Sequence, residues 1–279
     1  MKNQISFLFL FLMFSIYGSS QNTKLMTYNI KYDNKNDTIN NWNDRKESLV
    51  KLLLHYEPAI IGTQEALHHQ VNYIDNALAN FSYIGVGRDD GKQKGEYTAI
   101  LYNHTKFKLK SSNTFWLSKT PGKVSVGWDA AMERICTYGL FENLKTKEQF
   151  YVFNTHFDHM GKKARAKSAK LIYKKIKEIN NTGLPLVLMG DLNLKPEEKP
   201  IQFLKKKLND GKAVSQKPFY GPSGTFNGFN RNMNLDNRID YIFVHDFQVL
   251  SYIHIDDRME NNKHISDHLP VLISLKKRD

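Results

Sequence analysis

Six short segments of this chain carry carboxylates, amides and imidazoles. They are Thr27-Tyr28-Asn29, Gln64-Glu65, Asn154-Thr155-His156, Gly190-Asp191-Leu192-Asn193, Arg238-Ile239-Asp240-Tyr241 and Ser266-Asp267-His268-Leu269-Pro270. Each alone reads as a turn or a helix cap. Their recurrence at the ends of apolar runs is what points to chemistry, because open α/β sheets place ligands at strand ends. Oxygen donors of this kind suit Mg²⁺, with Mn²⁺ as the alternative. The single cysteine, Cys136, excludes an intramolecular disulfide and a cysteine-based zinc cluster. Lys and Arg number 40 against 28 Asp and Glu, a formal charge of +12 that draws anionic partners, although merely solvated lysines would give the same total. A basic chain with a hard-cation site points to phosphoryl or phosphodiester chemistry.

The elements that must hold these segments read as a mixed set. Strands are expected at 24–29, 59–64, 97–102, 137–143, 150–156, 184–190, 241–244 and 269–275. Leu186-Val187-Leu188-Met189 is continuously apolar, as in a strand covered on both faces. Leu49, Leu52, Leu53 and Tyr56 recur at helical spacing, as do Ala169, Ile172, Ile176 and Ile179 within a lysine-rich stretch. Segments 87–96 and 210–237 read as long loops. With 41% hydrophobic and 24% charged residues, no repeat and no low-complexity block, a single α/β domain over 21–279 is expected.

The first 20 residues read as a signal peptide. Lys2 supplies the positive start, Ile5 to Tyr17 the apolar run, and Gly18-Ser19-Ser20 the cleavage position before Gln21. The run is shorter than a spanning helix, which needs about 20 apolar residues. A secreted or periplasmic monomer without a stable membrane anchor is expected.

In this order, the segments resemble the endonuclease/exonuclease/phosphatase (DNase I-like) superfamily from about Leu25 to Leu275. Phe115-Trp116-Leu117-Ser118 and Gly127-Trp128-Asp129 resemble a secreted bacterial branch of it. The resemblance implies a four-layer α/β sandwich, two packed mixed sheets flanked by helices, with the site at one end of the sheets. It also implies roles. Glu65 is similar to the main metal carboxylate, with Asn29 and Asp267 close to the metal. Asp191 resembles the residue that orients or deprotonates water, and Asn193 its phosphate-binding neighbour. His268, held by Asp240, resembles the phosphate-contacting histidine. His156 resembles the second histidine, oriented by Glu96, and Arg134 resembles an arginine that contacts phosphate. A neighbouring carboxylate is expected to raise both histidines.

Weaker features carry bland alternatives. Trp42 and Arg45 resemble part of the family pattern, but Trp42 suits helix packing. Trp128 is a candidate for the pocket lining or for the core. His159 reads as a loop residue. Before Asp240 stand Asn237 and Arg238 with neither Trp nor Cys, which disfavours an inositol 5-phosphatase. Phe219-Tyr220-Gly221-Pro222 is the one faint candidate for a membrane-inserting loop, and Gly224-Thr225-Phe226-Asn227-Gly228-Phe229 looks closest to the deadenylase-like side of the superfamily. Three functions therefore stand: a metal-dependent phosphodiesterase or phosphatase acting on nucleic acid or a small phosphorylated molecule, a membrane-acting sphingomyelinase-like enzyme, and a non-catalytic anion-binding module.

Overall fold

A computed structural model describes residues 22–278, so the signal-peptide segment lies outside the described residues. In chain order the elements are β1 (Thr23–Asn29), α1 (Trp42–Tyr56), β2 (Ile60–Gln64), α2 (His68–Ala77), β3 (Phe81–Ile84), β4 (Ile100–Asn103), β5 (Phe107–Trp116), β6 (Ile135–Asn143), β7 (Gln149–His156), α3 (Lys162–Ile179), β8 (Leu186–Asp191), α4 (Lys199–Lys205), β9 (Asn209–Asp210), β10 (Asp240–His245), β11 (Phe247–His254) and β12 (Val271–Lys277). They form two six-stranded mixed sheets, ordered β11-β12-β1-β2-β4-β3 and β5-β6-β7-β8-β10-β9.

Strand alternation builds the layers. Leu25 of β1 and Val187 and Met189 of β8 point into a core between the sheets, with Ile60, Val152, Ile242 and Ile273. The alternate residues point outward. Met26 and Tyr28 meet Leu49, Leu52 and Leu53 of α1 and Val71 and Ile74 of α2. Leu186 and Leu188 meet Ala169, Ile172 and Ile176 of α3 and Ile201 and Leu204 of α4. The result is the four-layer sandwich, helices–sheet–sheet–helices.

This topology explains why the polar segments converge. β1 runs parallel to β2, and β7 parallel to β8, so Asn29 pairs with Gln64 and His156 with Asp191 at their carboxyl ends. β10 and β12 run antiparallel to β8 and β1, so their amino ends reach the same edge: Asp240 pairs with Asp191, and Val271 with Thr27. One rim therefore collects the last residue of each parallel strand and the first of each antiparallel partner. The sheets are latched just beneath it. Asn154 on β7 donates to the carbonyls of Thr63 and Ala99, at 2.9 Å each, and accepts from Gln64 at 2.6 Å. Gln64 and Asn154 are thus buried structural ties under the site. Arg238 is likewise structural, in a buried two-bond ion pair with Asp210.

Two loop anchors complete the rim. Arg45, 1% exposed, donates to the carbonyls of Ile30, Lys31, Asn40 and Ile265, tying the segment after β1 to the one before β12. Trp42 is buried edge-on against Tyr73, as its packing alternative holds. The α3 amino terminus is capped from afar: Asp129 accepts from Lys163 and Ala164 backbone N–H at 3.1 and 2.6 Å. Of the faint membrane-inserting candidate, Phe219 packs edge-on against His254 beneath the Lys212 ammonium, whereas Tyr220 beside it is 74% exposed. No helix among the described residues is long and apolar enough to cross a membrane.

Candidate active site

At the rim lies a cleft of about 630 Å³. Of the residues singled out from sequence, Glu65, Glu96, Arg134, His156, Asp191, Asn193, Asp267 and His268 line it. Asn29 and Asp240 lie buried directly behind.

Asn29 is the hub. Its side-chain amide donates to Glu65 Oε1 and Asp191 Oδ2, each at 3.1 Å, and lies 3.5 Å from His268 Nε2. Its own oxygen accepts from Lys31 N at 3.1 Å, which fixes the amide orientation. Asp240 Oδ2 holds His268 Nδ1 at 2.8 Å. Burial opposes a charge on His268, but Asp240 and Asp191 lift it to about 10. Burial, reinforced by Asp240, lifts Asp191 to about 7 against the pull of His268. Gly190 makes this turn possible: its φ is +145°, and a Cβ there would meet the Thr155 carbonyl at 1.9 Å.

The second histidine departs from expectation. Glu96 does not hold His156, because Arg88 takes its carboxylate in a two-bond pair at 2.5 and 3.0 Å, leaving His156 Nδ1 4.0 Å away. Burial first, then the Arg134 and Arg88 charges, hold His156 well below the usual imidazole value. The hydrogen bonds agree. Asn193 Nδ2 faces the Phe157 carbonyl, which can only accept, so the same amide donates to His156 Nε2 at 3.1 Å. Nε2 is then an acceptor and the ring is neutral. The site pairs a charged His268 with a neutral His156, not two raised imidazoles.

Trp128 is also corrected: among the described residues it is not part of the cleft lining, and it sits partly buried at φ +53° in the loop before β6. His159, read as a loop residue, lines the cleft and accepts from Arg134 at 3.0 Å. Asp158 holds Arg134 Nε at 3.4 Å, and Arg134 Nη1 has no hydrogen-bond partner among the described residues. Sequence reasoning missed Arg88, Lys31, Lys195 and Phe226, the last edge-on to His268. For Arg88 the long-loop reading of 87–96 was the available signal. For Phe226 it was the Gly224–Phe229 stretch.

The charge on His268 predicts an alkaline loss of stability in chelated protein. Its folded value lies above the imidazole's ordinary 6.5, so its contribution is complete below pH 6.5 and is lost as pH rises through about 10. Unfolding free energies from urea melts at pH 6 and pH 10 should therefore fall further apart in the native chain than in His268→Asn, by roughly 1.5–3 kcal/mol, the worth of a hydrogen bond to a charged group. Equal pH dependence in the two proteins would contradict the Asp240–His268 pairing.

The sequence profile of the Endonuclease/Exonuclease/phosphatase family matches residues 26–268. A solved mannosyl-6-phosphatase of Bacteroides thetaiotaomicron is 37% identical, with 91% of this chain and 99% of that one aligned at a TM-score of 0.87. The probable RNA exonuclease NGL3 of Saccharomyces cerevisiae is 28% identical over 67% of this chain but 41% of its own length, so this chain spans less than half of that relative. The human nocturnin catalytic domain, at 19% identity and a TM-score of 0.73, shares the fold. With the profile spanning most of both sheets and the site residues from Asn29 to His268, the chain belongs to the Endonuclease/Exonuclease/phosphatase family, whose chemistry is the hydrolysis of phosphate esters.

Proposed function

We propose that the cleft hydrolyses the phosphate ester of a small sugar by in-line attack of water, with a divalent cation as cofactor. The observation that carries this reading is the buried row Asp240–His268–Asn29–Asp191, which opens onto the cleft beside Glu65 and Asp267. It joins a carboxylate titrating near neutrality to an imidazolium, the pairing that acid–base hydrolysis requires.

The residues fit a hard cation. Glu65 Oε2 and Asp267 Oδ2 both lie 3.3 Å from one ammonium, that of Lys31, so they already share a positive charge. Glu65, Asp267 and the oxygens around them would hold Mg²⁺, or Mn²⁺ in its place. The other acidic cluster, Asp191, Asp240 and His268, is less suited, because Asp240 and His268 are committed to each other. When bound, the ion supplies positive charge against the phosphoryl oxygens.

The chain's own residues do the rest. Asp191 accepts the proton of water as the water oxygen bonds to phosphorus. His268 donates to a phosphoryl oxygen. Arg134 and Arg88 line the cleft where further oxygens need donors, and the ester P–O bond breaks with the alcohol leaving protonated by solvent. The sugar is supported by the likeness to the mannosyl-6-phosphatase and by the cleft volume, which falls in the small-ligand range. The net charge and the exonuclease relative favour nucleic acid as a second substrate class.

The test is release of phosphate or nucleotide from sugar 6-phosphates, RNA, single-stranded DNA, sphingomyelin and a chromogenic diester, with Mg²⁺, with Mn²⁺ and with EDTA. Sugar 6-phosphates are expected to be cleaved, and EDTA to lower the rate by roughly 10³-fold, restored by metal. Cleavage of RNA alone would move the substrate to the second class. Turnover of nothing in the panel would leave the anion-binding alternative.

A further inference from the structure

Lys31 stands in an unusual place. It directly follows the strand β1 hub Asn29 and Ile30, and adopts a left-handed backbone, φ +57°, that lysine rarely takes. That conformation is held from both sides. Its carbonyl accepts from Arg45 at 3.3 Å and from Gln70 at 3.0 Å, and its N–H donates to Asn29 Oδ1. The neighbouring Tyr32 N–H donates to Glu65 Oε2 at 3.3 Å. The backbone of residue 31 is therefore pinned to the rim.

The side chain is not. It remains 27% exposed, lines the cleft, and ends with Nζ equidistant, at 3.3 Å, from Glu65 Oε2 and Asp267 Oδ2. Those two carboxylates are 12% and 10% exposed, and apart from Lys31 neither pairs with another lysine or arginine among the described residues. Two largely buried like charges facing one another are costly unless a cation lies between them.

We propose that Lys31 is a resident, displaceable counter-ion of the Glu65–Asp267 pair: its ammonium keeps the empty carboxylates together, and a divalent cation must evict it to bind. This rests on the reading of Glu65 and Asp267 as metal carboxylates. The pinned backbone makes eviction a side-chain event. Only rotamers change, the ammonium moves into the cleft or to solvent, and Asn29 and Glu65 keep their hydrogen bonds. Lys31 thereby scales the apparent metal affinity down to the fraction of molecules in which it leaves the pair free. In exchange, the metal-free site stays assembled.

The experiment is titration calorimetry of chelator-stripped protein with MnCl₂ alone, for the native chain, Lys31→Met, Lys31→Gln and Lys195→Met. Glutamine can still bond one carboxylate, so it keeps the test available should the methionine variant fold poorly without metal. Both Lys31 variants are expected to bind Mn²⁺ at least about tenfold more tightly than the native chain, as removal of a competing occupant requires. Their thermal midpoints in EDTA should fall, and the rise on adding Mn²⁺ should exceed the native rise. Lys195 also lines the cleft and carries the same charge, but it forms no ion pair with either carboxylate. Lys195→Met should therefore leave the affinity within about threefold of native, since only longer-range screened repulsion is lost. Unchanged or weaker binding in both Lys31 variants overturns the proposal, as does an equal gain in Lys195→Met. Absence of binding in every protein would overturn the metal reading as well, which separates the two failures.

Discussion

Asp191→Asn should lower kcat for the cleft's phosphate ester by about 10³–10⁴-fold with little change in KM, the scale on which removal of a positioned general base acts. The substitution is close to isosteric. The asparagine oxygen can keep the bond from Asn193 N, which Asp191 accepts at Oδ1 at 2.9 Å, but its amide replaces the Oδ2 that accepts from Asn29 Nδ2 at 3.1 Å, so a thermal melt accompanies the rates to show that the rim stays assembled. What disappears is a buried carboxylate lifted to about 7, which exchanges a proton at neutral pH and no longer can as an amide. In the native enzyme kcat should climb as pH rises toward 7 and Asp191 loses its proton. In Asp191→Asn that acid limb should be absent from whatever rate remains. A variant retaining more than a tenth of the native kcat would place the base elsewhere, and steady-state rates from pH 5 to 9 decide it.

How far this site could be read before folding depended on where each residue sits. The strand Leu186–Asp191 was legible because both of its faces are buried, one against the opposite sheet and one against helix α3, so its sequence is a continuous apolar run. Helix α3 was legible from the stripe of Ala169, Ile172 and Ile176. Strand β5 was not: it is a sheet edge, and Lys110, Ser111, Ser112 and Asn113 face solvent with no alternation to detect. Helix α2 hid for another reason. One of its three buried residues is Gln70, which serves the loop after β1 rather than the core. The rim segments were legible as residue types in order, and the topology brought all six to one edge. Pairing within the rim was not. Glu96 lies on the loop that also carries Arg88, and a guanidinium eight residues away in sequence outcompetes an imidazole sixty residues away. Which cation reaches a carboxylate is decided by loop conformation, and single-residue patterns do not encode it. Lys31 shows the same limit: its left-handed backbone comes from the carbonyl bonds of Arg45 and Gln70, two residues on different helices.

The pairing of Asp240 with His268 yields the second large effect. His268→Asn should reduce kcat by about 10²–10³-fold, the usual cost of removing one preorganised donor to the transition state. Asp240→Asn should approach that loss without touching substrate, because Asp240 lies behind the imidazole, is 1% exposed, and acts through the 2.8 Å bond to Nδ1. Its amide can offer a donor where the ring needs an acceptor, which turns or neutralises the histidine. If the two residues act as one unit, the double variant should be no worse than His268→Asn alone, and the coupling in the cycle should be about 2–3 kcal/mol, within the range for groups in one network. Independent roles would instead multiply the two losses. His156 supplies the contrast. It is neutral, its Nε2 accepts a hydrogen bond from Asn193, and Glu96 is held by Arg88, so Glu96→Gln should leave the His156 titration seen by NMR close to native, while Asp240→Asn should move that of His268 downward from about 10. A parallel downward shift of both rings in their respective variants would mean that the two histidines are held alike, and the charged–neutral division at the centre of the proposed chemistry would fall.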